Sequence, residues 1–525
     1  MSEQFQVRPE QPEATAATDE AAPPGISPRR STGYYLFLVA MLTLITELAA
    51  FEFIVVSPGI PEMTAEFHTP YVNWVFATPL LVAAAVVPLL GKLADIIGKK
   101  RVLMGVVAVF IVGSLICATT SHFPVLLVGR GLQACSIGAA VIVYGLVRDL
   151  LPRHLVPLAV GGIGVGTGFG AIVGPVIGGY LLDAHGFRST FWFLIVYAAV
   201  VGSVILAFVP ESDVRTPQRF DFVSALLLGT GAGLIALSFQ GGRFMFLGIV
   251  GVIAFAAFFA TISRRKHPLI PLQLLRQPPV FSTLTVAALL AFTYGGLNGV
   301  LIPQMLRSPA LPGSADPGLG LTGTQLALYW GLPYGVMSMA GGFGAGWLSR
   351  RKGPRSAVLG AGLLGCAATA MIATHLVGTP TMVALAGVVM GLGQGSAAAG
   401  SANLLIEAVS PDVQGVAAGF SYTVQGIFAG IATTAVGAVP GRFVEKVITG
   451  ENTVVFQQLG YRVAYGICAG VFLLAVCAAW LMRHGREPAT GGTSPEPASQ
   501  ERPRGPRDST KRTHSPSPTK GSYQS

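Results

Sequence analysis

The sequence predicts an all-α integral membrane protein with 14 transmembrane helices, and three observations lead to this fold class. First, 52% of the 525 residues are hydrophobic and only 11% are charged, whereas soluble proteins carry about 25% charged residues. Second, apolar runs long enough to cross about 30 Å of hydrocarbon recur along the whole chain. Third, lysine and arginine cluster between these runs. These features exclude an ordinary soluble enzyme.

The predicted spans lie between a polar N-terminal segment and a polar C-terminal segment. In chain order they cover residues 34–57, 73–96, 102–120, 124–147, 156–182, 190–209, 221–240, 244–262, 280–304, 324–346, 357–375, 381–405, 414–438 and 462–482.

The distribution of lysine and arginine predicts the orientation of these spans. With the N-terminus inside, the inside loops hold 15 of these residues and the outside loops hold six. Loops rich in lysine and arginine stay on the cytoplasmic side, so we expect both termini in the cytoplasm. The excess of arginine over lysine favours a bacterial cell membrane. The net charge of +10 follows from this topology, and no nucleic-acid partner is expected.

An internal repeat predicts two six-helix halves with two inserted central helices. Residues 91–98 follow the second span and residues 346–353 follow the tenth, and both read GxLxxxxG before basic residues. A chance match between two loops is the alternative. Parallel repeats of this kind are typical of transporters that bind their substrate between the halves. Disordered cytoplasmic tails are predicted at residues 1–33 and 483–525. The first half is predicted at residues 34–209 and the second half at 280–482, with the inserted helices and their cytoplasmic linkers between them at 210–279.

Three segments resemble signatures of one transporter family, the major facilitator superfamily. Residues 91–101, GKLADIIGKKR, resemble its loop signature between helices two and three, with Ile96 in place of the usual basic residue. Residues 127–138 resemble its helix-four signature through Arg130 and Gln133. Residues 170–179, GAIVGPVIGG, resemble the helix-five signature of its antiporters.

The first span narrows this resemblance to the 14-helix drug:proton antiporters. Residues 52–61 resemble their first-helix signature, with Glu52 where Asp is usual and Ser57 where Asn is usual. The resemblance implies a secondary transporter that exports a lipophilic drug, antibiotic or secondary metabolite in exchange for protons by alternating access. It implies no enzymatic activity and no cofactor, because the proton gradient drives export. The partners implied are the lipid bilayer, a small lipophilic substrate and protons, and we expect a functional monomer.

Two other functions remain as alternatives at this stage. One is a proton-coupled importer of a small solute on the same scaffold. The other is a membrane sensor or scaffold that transports nothing. Buried charges in the spans count against the second, because a scaffold has little use for them.

Glu47 and Glu52 in the first span and Arg130 in the fourth are the candidate proton-coupling residues. An acid at the centre of a membrane helix costs about 2.5–3.5 kcal/mol on insertion scales, so it is by default functional or paired. Burial favours the protonated carboxyl, which suits a proton carrier. The two acids lie about 140° apart around the helix. Arg130 cannot readily deprotonate, and an acid on the first helix is its expected partner; static ion pairs are the alternative.

Glycines and a basic loop are the candidate conformational elements. Gly162, Gly166, Gly170, Gly174 and Gly178 form one bare stripe that lets another backbone approach closely. With Pro175 and Gly179 they predict a surface that slides or bends as the halves rock, and plain tight packing is the alternative. In the loop, the resemblance implies that Asp95 latches onto the helix that begins near Gly415. The other loop candidates are Gly91, Gly98, Lys99 and Arg101.

Uncharged polar and aromatic residues are the candidate lining of the substrate cavity, because such side chains suit a lipophilic ligand. Contact with a neighbouring helix is the alternative for each. They are Gln133, Tyr294, Asn298, Tyr334, Gln394, Asn403, Tyr422 and Gln425. No metal site is expected, since the histidines and cysteines lack ligand spacing, and no Walker loop indicates ATP binding.

Overall fold

The computed structural model describes residues 31–489, apart from residues 70, 153–154, 216–220, 265–271, 309–318, 375–378, 411–412 and 449–452. Two helical bundles and a pair of helices beside them make up this part of the chain. The helices that belong to the first bundle are α1 (Thr32–Ile54), α2 (Ile60–Phe67), α3 (Trp74–Ile97), α4 (Lys99–Thr119), α5 (Phe123–Gln133), α6 (Ala139–Leu150), α7 (Val156–His185) and α8 (Arg188–Phe208).

The central pair is α9 (Phe222–Ser238) and α10 (Leu247–Ile262). The helices of the second bundle and its approach are α11 (Leu272–Leu275), α12 (Pro278–Gly296), α13 (Ile302–Arg307), α14 (Gly323–Leu326), α15 (Leu332–Lys352), α16 (Pro354–Ala373), α17 (Pro380–Ala408), α18 (Gln414–Gly437) and α19 (Gln458–Leu481).

Ten described helical segments are long and apolar enough to cross a membrane. They coincide with the predicted spans except spans five, seven, eight and ten. Span five is the helix α7, and span ten is the helical run from Gly323 to Lys352. Spans seven and eight are the shorter apolar helices α9 and α10. A multi-pass membrane protein is therefore confirmed, while the number of 14 crossings stays a prediction.

One hairpin departs from the expectation of an all-α chain. The strands β1 (Val444–Ile448) and β2 (Thr453–Phe456) pair antiparallel, with Val444 opposite Phe456 and Ile448 opposite Thr453. They lie in the connection between α18 and α19. This segment is too short and too polar to span a membrane, which is why the sequence predicted only a loop here.

Two large hydrophobic cores lie in the two bundles. The first joins buried residues from Leu38 to Val209 with Val300 of the second bundle, and the second joins buried residues from Val286 to Met482. A smaller cluster contains Leu81 of α3, Leu228 of α9, Phe258 of α10 and Ile427 of α18. The inserted helices therefore pack where α3 of the first bundle meets α18 of the second.

The two ends of the molecule can be told apart by contacts between helix termini. The Tyr34 hydroxyl at the start of α1 donates to the Phe208 carbonyl at the end of α8. In the second bundle, the Arg355 side chain at the start of α16 donates to the Ala479 carbonyl near the end of α19. We call this the terminal end, because α1 begins and α19 ends there, and we call the opposite end the far end.

Prolines change the helix type twice in the second bundle. The π-helical turns Leu297–Leu301 and Ala327–Gly331 each end two residues before a proline, Pro303 and Pro333. A proline ring clashes with the carbonyl four residues earlier in an α-helix, and a wider turn relieves that clash. Such π-turns are frequent at functional sites. The sequence carried this signal, but the helix type was not predicted from it.

Candidate functional site

Glu52 lies at the centre of a buried polar cluster in the first bundle. Its side chain is completely buried, and Oε2 accepts a hydrogen bond of 2.8 Å from the Ser136 hydroxyl. Ser136 belongs to a 3-10 turn, Ala134–Gly138, that interrupts the fourth span between α5 and α6. The other carboxyl oxygen, Oε1, has no hydrogen-bond partner among the described residues.

Arg130 is also completely buried, beside Glu52. Its Nε donates to the Val75 carbonyl at 2.8 Å and its Nη1 donates to Gln133 Oε1 at 2.5 Å. Gln133 in turn donates to the Ser114 hydroxyl at 2.7 Å. The Phe53 ring centroid is 5.7 Å from the guanidinium carbon, close enough for a cation–π contact.

The expected ion pair between Arg130 and an acid of the first helix is absent from the described part of this conformation. Glu52 and Arg130 interact electrostatically, but their side chains form none of the ion pairs found within 4.0 Å in that part. Nη2 of Arg130 has no hydrogen-bond partner among the described residues. A carbonyl of the second span and a glutamine hold the guanidinium instead.

Glu47 points away from this cluster, toward α7. It is 2% exposed, and its Oε2 has no hydrogen-bond partner among the described residues. A Cβ atom at Gly170 would overlap that oxygen. The hydroxyl of Tyr197 on α8 donates to the Leu44 carbonyl at 2.6 Å. The two acids therefore face different helices, in agreement with their angular separation.

The glycine stripe of α7 packs against α1 within the first bundle. A Cβ at Gly174 would lie 2.8 Å from Ile54, and a Cβ at Gly178 would lie 2.8 Å from the backbone of Val55. The surroundings of Gly162 and Gly166 lie outside the described residues. The stripe is thus a site of close packing between neighbouring helices, and any sliding role stays a prediction.

A different face of α7 meets the second bundle. Pro175 lies against Gly331, and Gly179 lies against Gly323. A Cβ atom on any of these glycines would come closer than 3.0 Å to its neighbour. Pro175 also removes the helix donor for the Ala171 carbonyl, and that carbonyl packs directly on Gly335. The two bundles therefore meet backbone to backbone along α7.

Two polar contacts join the bundles at the far end. Arg307 of α13 binds both carboxyl oxygens of Glu62 of α2, at 2.8 and 2.5 Å, and also the Pro58 carbonyl. Asp183 at the end of α7 accepts hydrogen bonds of 2.7 Å from the backbone amides of Gly323 and Thr324. We call these two contacts the far-end latch.

Sequence reasoning missed the three side chains and the two amides of the far-end latch. Arg307 was only one of the six basic residues counted in the outside loops, and Asp183 was not singled out. A capping box at Thr322 and Gln325 marks the start of the helix that Asp183 contacts. That motif can be read from the sequence, although the partner bundle cannot.

At the terminal end, the described ion pairs stay within the first bundle. Lys99 binds Asp95 at 3.2 Å and Asp149 at 2.8 Å. Glu211 accepts hydrogen bonds from the amides of Lys100 and Arg101 and thereby caps the start of α4. The latch of Asp95 onto the helix near Gly415 stays a prediction, since the surroundings of Gly415 lie outside the described residues.

The structure places Gly91 and Asp95 in the last turns of α3 and not in a loop, and Gly98 ends that helix. Gly98 has a φ of +130°, and a Cβ there would lie 2.7 Å from Arg215 and 2.8 Å from Glu211. Only glycine readily adopts that backbone conformation. Gly91 is looser, since a Cβ there would meet Val141 at 3.4 Å.

The candidate cavity residues are dispersed over the two bundles. Tyr294 lies in the second core, where its hydroxyl donates to the Ala361 carbonyl at 2.8 Å, and Gln133 belongs to the Arg130 cluster. These two suit a lining role poorly. Tyr334 stacks on Trp330 with centroids 6.1 Å apart, and Tyr422 is 61% exposed.

Three amide oxygens of the second bundle are buried acceptors with no hydrogen-bond partner among the described residues. They belong to Asn298, Gln304 and Gln394. Asn298 lies on the first π-turn, and Gln304 follows Pro303. The other amides are satisfied in part, since Gln425 donates to Ser421 and Asn403 donates to Ser349.

Comparison with known proteins decides the family. The sequence profile of the Major Facilitator Superfamily matches residues 42–433 and 284–519. The chain belongs to this superfamily. It is 29% identical over 366 residues to a uridine/deoxyuridine transporter of Lactococcus lactis subsp. cremoris (strain MG1363), covering 64% of this chain and 73% of the relative.

Other members of the superfamily are similar over comparable lengths. A multidrug resistance protein B homolog of Mycobacterium tuberculosis (strain ATCC 25618 / H37Rv) is 28% identical over 338 residues, covering 60% of this chain and 59% of the relative. The uncharacterized transporter YfiU of Bacillus subtilis (strain 168) is 26% identical over 406 residues, covering 73% of this chain and 75% of the relative. Homologues and fold are those of membrane transporters of this superfamily, which are not enzymes.

Solved structures agree with the superfamily fold. A bacterial homolog of the human lysosomal transporter Spinster, inward-facing and unoccupied, has a TM-score of 0.61 at 16% identity and covers 86% of this chain and 97% of that one. A D-xylose–proton symporter has a TM-score of 0.60 at 13% identity and covers 87% and 99%. At these identities the likeness concerns the fold alone.

Proposed function

We propose that this superfamily member exports a lipophilic drug, antibiotic or secondary metabolite in exchange for protons. The observation that carries the proposal is the buried Glu52, which shares one cluster with Arg130 and Ser136. A carboxylate this deeply buried without a direct ion pair is costly. A role in transport accounts for such a carboxyl, since it can bind a proton from one side of the membrane and release it to the other.

Proton handling is assigned to the first bundle. Among the described residues of the second bundle, no acidic or basic side chain is buried. Glu52 therefore carries the proton, and Glu47 is a second acid in reach of the moving helix α7. Arg130 supplies a permanent positive charge beside Glu52, which the carboxylate balances once its proton has left.

Alternating access follows from the contacts between the bundles. With both termini in the cytoplasm, the far end faces outward, and the far-end latch keeps it closed in this conformation. Substrate then enters from the cytoplasmic side. Opening outward requires Arg307 to leave Glu62 and Asp183 to leave the helix that begins at Gly323. The membrane, the small substrate and protons are the only partners in this scheme, and the monomer suffices for it.

A second candidate function is proton-coupled import of a small polar solute. The similarity to a uridine/deoxyuridine transporter over 73% of its length favours it. So do the buried amide acceptors of Asn298, Gln304 and Gln394, because a solute with hydrogen-bond donors would use acceptors that a purely lipophilic compound leaves unsatisfied.

Everted membrane vesicles with an acidic interior distinguish the two functions. A panel of lipophilic antibiotics and cationic dyes is added to one set, uridine to another, and a pH-sensitive dye reports the interior. Export by antiport predicts that a panel compound releases interior protons and that uridine does not. Uptake of uridine by right-side-out vesicles, without a response to any panel compound, would overturn the export proposal and support import.

A further inference from the structure

Pro79 lies one turn after Val75 in α3 and changes the bonding of its carbonyl. In an α-helix the carbonyl of residue 75 would accept from the amide of residue 79, but proline has no amide hydrogen. The Val75 carbonyl is thus left without its helix partner. The Nε of Arg130 fills this position at 2.8 Å, so a buried cation is bound where the sequence removed a backbone donor.

Gln133 is the second hydrogen-bond acceptor that holds Arg130. Nη1 of Arg130 donates to it, and the Gln133 amide in turn donates to Ser114. Nη2 and Glu52 Oε1 are both buried and have no hydrogen-bond partner among the described residues. A cation that cannot deprotonate is therefore anchored to neutral acceptors, beside a carboxyl that it does not touch.

We propose that the Val75 carbonyl and Gln133 form a docking station for the Arg130 guanidinium, and that Pro79 positions Arg130 by creating it. The station competes with Glu52 for the guanidinium. Arg130 occupies the station while Glu52 is protonated and turns toward Glu52 when the proton leaves. This inference rests on the proposed role of Glu52 as the proton carrier.

The station also determines how tightly Glu52 holds its proton. A guanidinium in contact with the carboxylate would stabilise the charged form, and the station withholds that contact. Among the described residues, the other titratable side chains close enough to interact with Glu52 are the thiols of Cys117 and Cys135. Weakening the station therefore releases Arg130 to Glu52 and favours loss of the proton.

The station lies at a turn that touches the second bundle. Phe76, the next residue, is 3.7 Å from the Cβ position of Gly299 in the first π-turn. The amide of Asn73, one turn earlier, packs directly on Gly437 of α18. Movement of Arg130 away from Val75 thus changes a carbonyl next to the junction of the bundles.

The test is a titration of the Glu52 carboxyl by infrared difference spectroscopy on the full-length protein in lipid nanodiscs. The signal is assigned by its loss in Glu52→Gln. Pro79→Ala restores the amide donor to Val75, and we expect the protonation midpoint of Glu52 to fall by about one pH unit, a tenfold weaker hold on the proton. Pro88→Ala, at the other proline of the same helix, is the matched control and keeps the wild-type midpoint.

A second variant keeps the test decisive even if Pro79→Ala does not fold. Gln133→Met keeps the side-chain length but removes the other acceptor of the station, and we expect the same direction of shift. Midpoints in Pro79→Ala and Gln133→Met equal to that of Pro88→Ala overturn the docking station while leaving Glu52 as a proton carrier. A Glu52 carboxyl that does not titrate in the wild type overturns both the station and the proposed proton carrier.

Discussion

The carboxylate of Glu47 occupies the space that a side chain at position 170 would need. A Cβ at Gly170 of α7 would overlap Glu47 Oε2, although the two residues lie on different helices. Alanine at position 170 would force the end of the buried Glu47 side chain to shift. Glycine at position 170 thus fits the acid on α1, and the backbone conformation of α7 does not itself call for it.

We expect Gly170→Ala to destabilise the protein by about 1–3 kcal/mol, the usual cost of overpacking a core. Thermal unfolding of the purified protein measures this change. Gly360→Ala is the control, because a Cβ there meets nothing within 4 Å and alanine favours a helix. Adding Glu47→Ala to Gly170→Ala should restore most of the lost stability; an uncorrected loss would mean that another contact is responsible.

The ion pair between Arg307 and Glu62 is expected to favour the conformation with a closed far end. Glu62→Gln removes the charge and should shift the ratio of closed to open molecules about fivefold toward open, for a partly exposed pair worth about 1 kcal/mol. Spin labels at Tyr180 and Leu328, both exposed near this junction, measure the shift as a longer distance by electron–electron resonance, in a background without the native cysteines.

Glu66→Gln is the matched control for that experiment. Glu66 pairs with Arg188 at 2.5 Å, but both residues belong to the first bundle. Its loss should leave the distance distribution unchanged. An equal response to both substitutions would show that the far end responds to any lost charge and that the Arg307 pair has no special part.

Asp183 is expected to contribute to the same equilibrium through the helix that begins at Gly323. Its carboxylate binds two backbone amides at the start of that helix, where a negative charge is favourable. Asp183→Asn should lengthen the distance between the same spin labels by removing the charge. Combined with Glu62→Gln its effect should add, because the two contacts share no residue. If the double variant gives the same distance distribution as Glu62→Gln alone, Asp183 does not contribute to the far-end latch.

The sequence predicted the elements of this fold better than their contacts. Apolar length and charge located the spans, because a helix must be apolar over the thickness of the membrane. The GxLxxxxG repeat predicted two halves. The glycine stripe predicted close approach of another backbone, with a sliding surface as the favoured role, but not its partner, which is α1 for Gly170, Gly174 and Gly178. The hairpin at Val444–Phe456 was missed because its strands are short.

For the candidate site, too, the sequence indicated residues better than it indicated their contacts. Glu47, Glu52 and Arg130 were singled out because charge inside a membrane span is costly, and the structure buries all three; their role in proton coupling stays a prediction. The partner of Arg130 was not found, since the free carbonyl of Val75 is a backbone group whose availability depends on Pro79. The far-end latch joins residues from 58 to 324, and which far-apart ends meet is decided only by the packing of the bundles.

Proton release from everted vesicles tests the central claim most directly, with a panel compound that the wild-type protein transports. We expect wild type and Glu66→Gln to release interior protons when the compound is added, whereas Glu52→Gln, present in equal amount and equally stable, releases none. Release by Glu52→Gln at the wild-type rate would contradict the claim that Glu52 carries the proton.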